Sequence, residues 1–417
     1  MASTNDDTSG SGSGSGRPPS PTLATILEID QIRQALPAEL REKYRDRYAK
    51  LLQDMTKDAA EFLHEDLDIN KHTEDQVKTV IKAFPSALSH LDDDGSLPIQ
   101  AAACFERSVS FVPFLAAEGV KFNVGGEGKR GGLLGEDPVY SLNVLQKVVG
   151  SAGFLGLLDM DSSACDLFYL DILTKLCESK LLRKDDVVKH HLLFWSCSAL
   201  SKERFKYLVD WDPEALEKTL YEGVPLLQAF ANIGELGNFA MVLKAGIKHY
   251  PEHLGFLFRK NNDGITSCQI AFEEYGKDET FKVIQECIPA DSKYPILHRV
   301  IKNASQYMDD FAKRYPSAIY LRDEHQRLLH HTALGSGTNL STDAVFILRM
   351  RDEEIEERDP VTDLYPFAIA ASAEKCDLST VHYLLRRNPA LLERSARVSK
   401  HSSSSKLVKA GRKCKRT

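Results

Sequence analysis

The sequence has little that would hold the chain in a membrane or in an oxidising compartment. No apolar run in its 417 residues approaches the roughly 18 to 20 residues that cross a bilayer. Its eight cysteines are scattered and none forms a Cys-x-x-Cys pair, which is typical of reduced thiols. The polar start of the chain, with Asp6 and Asp7, leads into Ser-Gly repeats and predicts no signal peptide. We therefore expect a cytoplasmic protein, with the nucleus as the alternative compartment.

Motifs for catalysis or for cofactors are also scarce. Residues 126–131 match the letters of a dinucleotide-binding loop, but residues 132–138 are not expected to open the helix that such a loop needs. Lys129 is followed by Arg130, which excludes the phosphate-binding loop that requires Ser or Thr there. Residues 159–166 begin like a calcium loop but lack its glycine and its closing glutamate. We expect a flexible loop at 126–131, and no cofactor and no catalytic residue.

Two pairs of adjacent histidines do not change that expectation. His190 and His191, and likewise His330 and His331, are neighbours in regions with a helical pattern. Neighbouring side chains on a helix point about 100° apart, so such a pair does not converge on one metal ion. No His-Glu-x-x-His motif is present either. We interpret these histidines as structural and expect no metal site.

Acidic residues are almost missing from one end of the chain. From Arg394 to Thr417 there are nine Lys or Arg residues and no acid. Since the whole chain has a net charge of −7, the remainder carries −16. The basic tail is solvated on the simplest interpretation. A nuclear import signal and a contact with nucleic acid are the two sharper hypotheses for it.

Against these absences stands one phrase that recurs five times. Each copy is five residues long, with proline at its second position and Leu or Ile at its fifth. The copies are residues 84–88, 212–216, 250–254, 315–319 and 388–392. Self-similarity at a spacing of tens of residues is typical of repeat architectures. Because proline cannot continue a helix, each copy predicts where the preceding helix ends.

Between these phrases the chain cycles through a regular order of elements. A polar turn comes first, then a helix rich in small residues, then a more aliphatic helix such as residues 239–243, 281–288 or 344–348. Alternation with period two is absent over any useful length, so strands are expected to be minor. Ahead of the cycle, residues 23–67 have a helical pattern with a break at Leu36 and Pro37. The second helix there has one apolar face, formed by Leu40, Tyr44, Tyr48, Leu51, Leu52, Met55 and Ala59.

The cycle resembles ankyrin repeats, whose helix opening reads Thr-Pro-Leu-His-x-Ala. The matching stretches are residues 95–102, 225–229, 264–271, 295–298, 328–330 and 365–371, and the match is degenerate. The resemblance implies an all-α fold, an α-solenoid of stacked helix-turn-helix repeats. It also implies that His298 and His330 are the histidines that hold a turn by a local hydrogen bond. Six to eight repeats are expected.

These observations predict a division of the chain into four parts. Residues 1–22 are expected to be disordered, residues 23–72 to form an N-terminal helical segment, and residues 73–395 to form the repeats. The repeats are interrupted by an irregular insert at about 119–165. Residues 396–417 are expected to be a disordered basic tail.

The resemblance implies a scaffold or adaptor that binds other proteins and is not an enzyme. Ankyrin-like stacks contact partners through turn tips and inner helix faces. The candidate contact residues are polar turn tips, and their acidity suggests basic partner segments: Asp93, Asp94, Asn262, Asp263, Glu324, His325 and Asp363. The competing interpretation is that Asp and Asn occur there only because turns favour them.

Two alternatives of other classes stay open. The first is an enzyme, or a regulatory subunit of one, with the 119–165 insert as its active loop. The second is a nuclear regulator whose tail directs import or touches nucleic acid. We expect neither a membrane partner nor a small-molecule substrate.

Overall fold

A computed structural model describes residues 23–154, 162–198, 201–218, 220, 223–233, 235–335, 351–373 and 378–394. The fold is all-α: within these ranges there are no strands, and β pairing takes the form of isolated bridges such as Glu136 with Asn143 and Lys260 with Thr266. The expectations for residues 1–22, 344–348 and 396–417 lie outside the described residues. The chain divides into two compact units at Leu208 and Val209.

The first unit contains the N-terminal helices and the first turns of the cycle. Its helices are α1 Leu23–Ala35, α2 Ala38–Lys43, α3 Arg45–Glu61, α4 Glu74–Ala83, α5 Pro98–Ala102, α6 Glu106–Val109, α7 Val112–Lys121, α8 Val144–Phe154, α9 Ser162–Glu178, α10 Lys184–Lys189 and α11 Leu192–Ser198. Helix α12, Lys202–Trp211, crosses the boundary between the units.

The second unit repeats short helix pairs. Its helices are α13 Leu226–Ile233, α14 Leu236–His249, α15 Ser267–Tyr275, α16 Lys277–Cys287, α17 Ile296–Asn303, α18 Met308–Arg314, α19 Leu329–Gly335, α20 Asp352–Ile355, α21 Pro366–Ser372 and α22 Leu378–Arg387. Aromatic side chains fill part of its core: the ring centroids of Phe272 and Phe281 are 4.9 Å apart, and those of Phe281 and Phe311 are 4.8 Å apart.

The recurring proline phrase ends helices as its chemistry predicts. Helices α4, α12, α14, α18 and α22 each stop one residue before a phrase begins. The residue before the proline has similar torsion angles in separate copies, φ −134° and ψ 68° at Phe84 and φ −134° and ψ 59° at Tyr250. The proline then opens a short 3-10 helix in four of the five copies. The sequence therefore predicted these helix ends correctly.

A second recurring contact joins neighbouring segments inside each unit. The side chain at the third position of a helix donates a hydrogen bond to a backbone carbonyl that lies 23 to 44 residues further along the chain. In the first unit these bonds are Gln100 Nε2 to Gly135 O and Gln146 Nε2 to His190 O. In the second unit His298 Nε2 bonds to Leu321 O at 3.0 Å and His331 Nε2 to Glu357 O at 3.2 Å. Each helix opening thus holds the next segment in place.

The segment expected to be an irregular insert contains regular structure. Helix α8 begins at Val144, inside the 119–165 range, and α9 begins at Ser162. Asn143 caps α8, because its Oδ1 accepts a bond from the Gln146 amide while Gln146 Oε1 accepts one from the Asn143 amide. Residues 144–154 of the segment expected to be irregular are therefore helical.

Candidate functional site

The turns of the cycle share one hydrogen-bond arrangement. It begins at Asp92, Asp137, Asn261, Asp323 and Asp359. The backbone N–H of each donates to the carbonyl four or five residues later, at 2.9 to 3.1 Å. Its side-chain oxygen Oδ1 accepts the backbone N–H two residues later, also at 2.9 to 3.1 Å. The side chain of the first acidic or amide residue of each turn is thus used in a hydrogen bond within the turn.

The seven predicted contact residues lie one or more positions beyond these turn-forming residues. All seven side chains are exposed. Asp93 and Asp94 belong to the first unit, and Asn262, Asp263, Glu324, His325 and Asp363 belong to the second. Within their turns, Asp94, Asp263 and His325 contribute a backbone N–H to the first residue, a bond that any residue except proline can make. Their side-chain identities are therefore not dictated by the turn.

Some of the predicted contact residues take part in local contacts. Glu324 Oε1 lies 3.3 Å from Arg299 Nη2, and Asp363 Oδ2 lies 2.9 Å from Arg358 Nη1. The side-chain amide of Asn262 fills the space beside Gly223, where a Cβ atom would come within 2.9 Å of Asn262 Nδ2. Ion pairs between exposed side chains contribute only about 0 to 1 kcal/mol, so such pairs leave the carboxylates able to change partner.

Neighbouring turns of the second unit are also cross-linked. Arg322 Nη2 lies 2.9 Å from Glu357 Oε2, and Arg327 Nε lies 3.2 Å from the buried carboxylate of Asp359. These contacts hold the turn at 323–327 beside the turn at 359–364. The exposed tips of the two turns therefore share one edge of the second unit.

A cleft of about 230 Å³ in the second unit was not found from the sequence. Phe256, Arg259 and Arg299 contribute to its lining, and residues 254–256 all have positive φ. Both guanidinium groups already have partners, because Arg259 donates to the Glu217 carbonyl at 2.5 Å and Arg299 pairs with a carboxylate. We therefore assign no ligand to this cleft.

The end of the glycine-rich loop at 126–131 is packed against its own unit, whereas residues 126–129 are exposed. The flexibility expected for the loop stays a prediction. Gly131 has φ 69°, and a Cβ atom there would lie 2.3 Å from the backbone oxygen of Ala116. Arg130 Nη2 donates to Asp186 Oδ1 at 3.0 Å, and both side chains are largely buried. The loop's one buried cation is thus used within the fold, and nothing in this geometry favours a phosphate site.

The histidines are structural in detail, with one change of role. His298 is buried, and its Nδ1 accepts a bond from the Thr332 hydroxyl at 2.9 Å. In the pair at 330–331 the turn is held by His331, whose Nδ1 accepts from the Leu328 amide and whose Nε2 reaches the Glu357 carbonyl. His330 Nε2 is buried without a hydrogen-bond partner in the described part of the chain. Assigning the turn-holding role to His330 was therefore wrong by one residue.

Within the described ranges, no group of three His, Cys, Asp or Glu side chains is placed to hold a metal ion. No helix in those ranges is both long and apolar enough to span a membrane. Comparison with models of protein families gives no match, and comparison with curated protein sequences gives none either.

Proposed function

We propose that the chain is a non-catalytic adaptor that binds other proteins through the exposed turn tips of ankyrin-like repeats. The observation that carries the proposal is the separation of roles within each turn. Asp92, Asn261 and Asp323 form the turns, whereas Asp94, Asp263 and His325 after them have exposed side chains and contribute a backbone N–H to the turn. Residues that a fold does not require are available for recognition.

Helix openings that bind the next segment support the solenoid part of this proposal. In a solenoid each unit contacts its sequence neighbours, and the side-chain to carbonyl bonds from Gln100, Gln146, His298 and His331 are contacts of that kind. Within one unit such a stack places neighbouring turns side by side. Acidic tips placed side by side fit a basic segment of a partner, because complementary charge raises both the association rate and the specificity.

The proposal is tested by replacing the acidic tips with amides. The variant combines Asp93→Asn, Asp94→Asn, Asp263→Asn, Glu324→Gln and Asp363→Asn, which removes charge at nearly constant volume. Wild type, this variant and a form that lacks residues 397–417 are used as bait in native lysate, and retained proteins are quantified by mass spectrometry. Proteins that are retained by wild type and by the tail deletion, but lost with the tip variant, support the adaptor.

Equal retention by the tip variant would contradict the turn tips as the binding surface. Loss of retained proteins or of nucleic acid only with the tail deletion would favour the nuclear alternative. A matched control reverses Lys206 and Lys244, two exposed lysines within helices α12 and α14, to glutamate and is expected to retain the same proteins.

A further inference from the structure

An apolar face at the N-terminal helices is left uncovered by the described residues. Leu40, Tyr44 and Leu51 have 43%, 46% and 40% of their surface exposed. Together with Leu36 and Tyr48 they line a groove of about 400 Å³. Only the C-terminal part of the apolar face predicted for α3 is buried, at Met55 and in the helical turn that follows it. The sequence therefore predicts a continuous apolar face, and the first unit covers only part of it.

Hydrogen bonds hold the junction between α1 and α2, beside which the groove lies. Arg41 Nε donates to the Leu36 carbonyl at 2.9 Å and Arg41 Nη2 donates to the Gln34 carbonyl at 3.1 Å. These bonds satisfy carbonyls at the end of α1 and close the junction. Burying apolar side chains removes apolar surface from water, so a cluster of exposed ones favours association.

Charge is distributed unevenly along this helical stretch. Residues 38–50 contain five basic and three acidic side chains, whereas residues 51–66 contain one Lys and five acidic side chains. The stretch is therefore positive at its start and negative at its end. Two such stretches attract each other when they run antiparallel and repel each other when they run parallel.

We infer that the groove binds a second copy of this chain, with the two α2–α3 stretches antiparallel about a twofold axis. The axis lies between Tyr48 and Leu51, so that Tyr48 of each copy packs on Leu51 of the other. About a twofold axis the same surface of both copies forms the interface, and the positive start of each stretch meets the negative end of the other. In this register Arg45 of one copy faces Asp54 of the second copy.

The charged residues beside the groove lack strong partners of their own. Arg47 and Asp54 form no ion pair among the described residues, and Arg45 approaches Glu42 only to 3.9 Å with both side chains largely exposed. Burial, and then the neighbouring Asp54 carboxylate, raise the pKa of Asp58. A cation from a second copy would relieve the repulsion between these two carboxylates.

The two ends of the chain fit the groove poorly. Residues 1–22 are rich in Ser, Gly and Pro and contain no Leu, Ile or Val, so they offer no apolar face to the groove. Residues 395–417 carry eight Lys or Arg residues and no acid, so they would meet the positive half of the stretch unfavourably. A second copy has both the apolar face and the opposite charge.

The test is the mass of the full chain in solution, measured by light scattering across a concentration range. Wild type is expected to dimerise. Arg45→Glu with Arg47→Glu makes the whole stretch acidic, and Asp54→Arg with Asp58→Arg makes it basic. Each double variant is expected to weaken its own dimer by at least about tenfold, which corresponds to about 1.4 kcal/mol. Mixed together, the two double variants are expected to form a heterodimer.

The mixture guards against variants that merely misfold, because misfolded chains would not recover the dimer. Reversal of Lys206 and Lys244, which changes the charge equally elsewhere, is expected to leave the dimer intact. A wild-type chain that stays monomeric at about 100 μM would overturn the inference, and so would a dimer that neither double variant weakens.

Discussion

Buried histidines are the residues whose chemistry the fold changes most clearly. Burial lowers the pKa of His298, His330 and His331 from the ordinary value, most strongly at His330. The unfolded chain therefore binds more protons than the folded chain once the pH falls below about 6.5. Stability is fully present above that pH and decreases as the pH falls toward the folded pKa values. Each histidine adds up to about 1.4 kcal/mol per pH unit to this loss.

Replacing His330 separates this effect from other titrations. Since His330 Nε2 is buried without a partner among the described residues, we expect His330→Leu to hold the free energy of unfolding at pH 7.5 within about 1 kcal/mol. Between pH 6.5 and 5 the variant should lose stability less steeply than wild type. Urea unfolding at a series of pH values measures both quantities. His382→Leu, at an exposed site, is the control, and equal slopes for wild type and His330→Leu would contradict the account.

Ala271 tests the packing of a small residue between helices. It is fully buried on α15, and its carbonyl accepts a bond from the Thr280 hydroxyl at 2.8 Å. Ala271→Glu places a charge at a fully buried position, so we expect the free energy of unfolding to fall by at least about 3 kcal/mol. Ala290→Glu makes the same substitution at an exposed position and should cost less than about 0.5 kcal/mol. Similar melting of the two variants would contradict the placement of Ala271.

At the scale of elements, the residue before the proline of a phrase forms a hydrogen bond with the backbone at the end of an earlier helix. Tyr315, which precedes Pro316, is buried and donates its hydroxyl to the Ile288 carbonyl at 2.9 Å. Tyr250, which precedes Pro251, reaches the Pro213 carbonyl in the same way at 3.3 Å. Residues 288 and 289 form a further Ile-Pro step that the five-copy pattern did not include. The phrase thus ends a helix and also registers it against its neighbour.

Removing the Tyr315 hydroxyl measures how much this bond between helix ends contributes to stability. Tyr315→Phe leaves the buried Ile288 carbonyl without its donor, so the free energy of unfolding should fall by about 1 to 2 kcal/mol. Tyr320→Phe, five residues later and half exposed, should change it by less than about 0.5 kcal/mol. Chemical denaturation of both variants compares them directly. A Tyr320→Phe loss as large as the Tyr315→Phe loss would contradict a specific role for the buried bond.

Local chemistry explains which elements could be predicted from the sequence. Helix ends at Pro85, Pro251 and Pro316 followed from a residue that cannot continue a helix. Helix α8 was missed because its turn, starting at Asp137, has neither the Gly of the turn at 92–95 nor a proline at the helix opening. Its Asn143 and Gln146 capping pair was a usable signal.

Long-range contacts explain what the sequence could not show. The bond from Gln100 to the Gly135 carbonyl spans 35 residues, and no local pattern announces it. Which histidine of the pair at 330–331 holds the turn depends on where α19 begins, a shift of one residue. The turn tips were identified from the sequence as exposed polar positions. Their separation from the turn-forming residue needed the hydrogen bonds of the structure.

At the scale of the whole molecule, the two proposals use different surfaces. The tips would recruit a partner, and the N-terminal groove would pair two copies of the chain. A dimer of adaptors presents two sets of tips, and bivalent attachment raises apparent affinity when both sites are reached together. The groove variants should therefore weaken binding to a partner with two target segments more than binding to a single segment.

The most direct test of the adaptor account is the affinity of a partner recovered with the tail-deleted chain. Its Kd is measured by calorimetry against wild type and against the five-site amide variant at two salt concentrations. The account predicts a Kd at least about tenfold weaker for the variant, unchanged thermal stability, and weaker wild-type binding at higher salt. Equal Kd values for the two proteins, with the same dependence on salt, would contradict it.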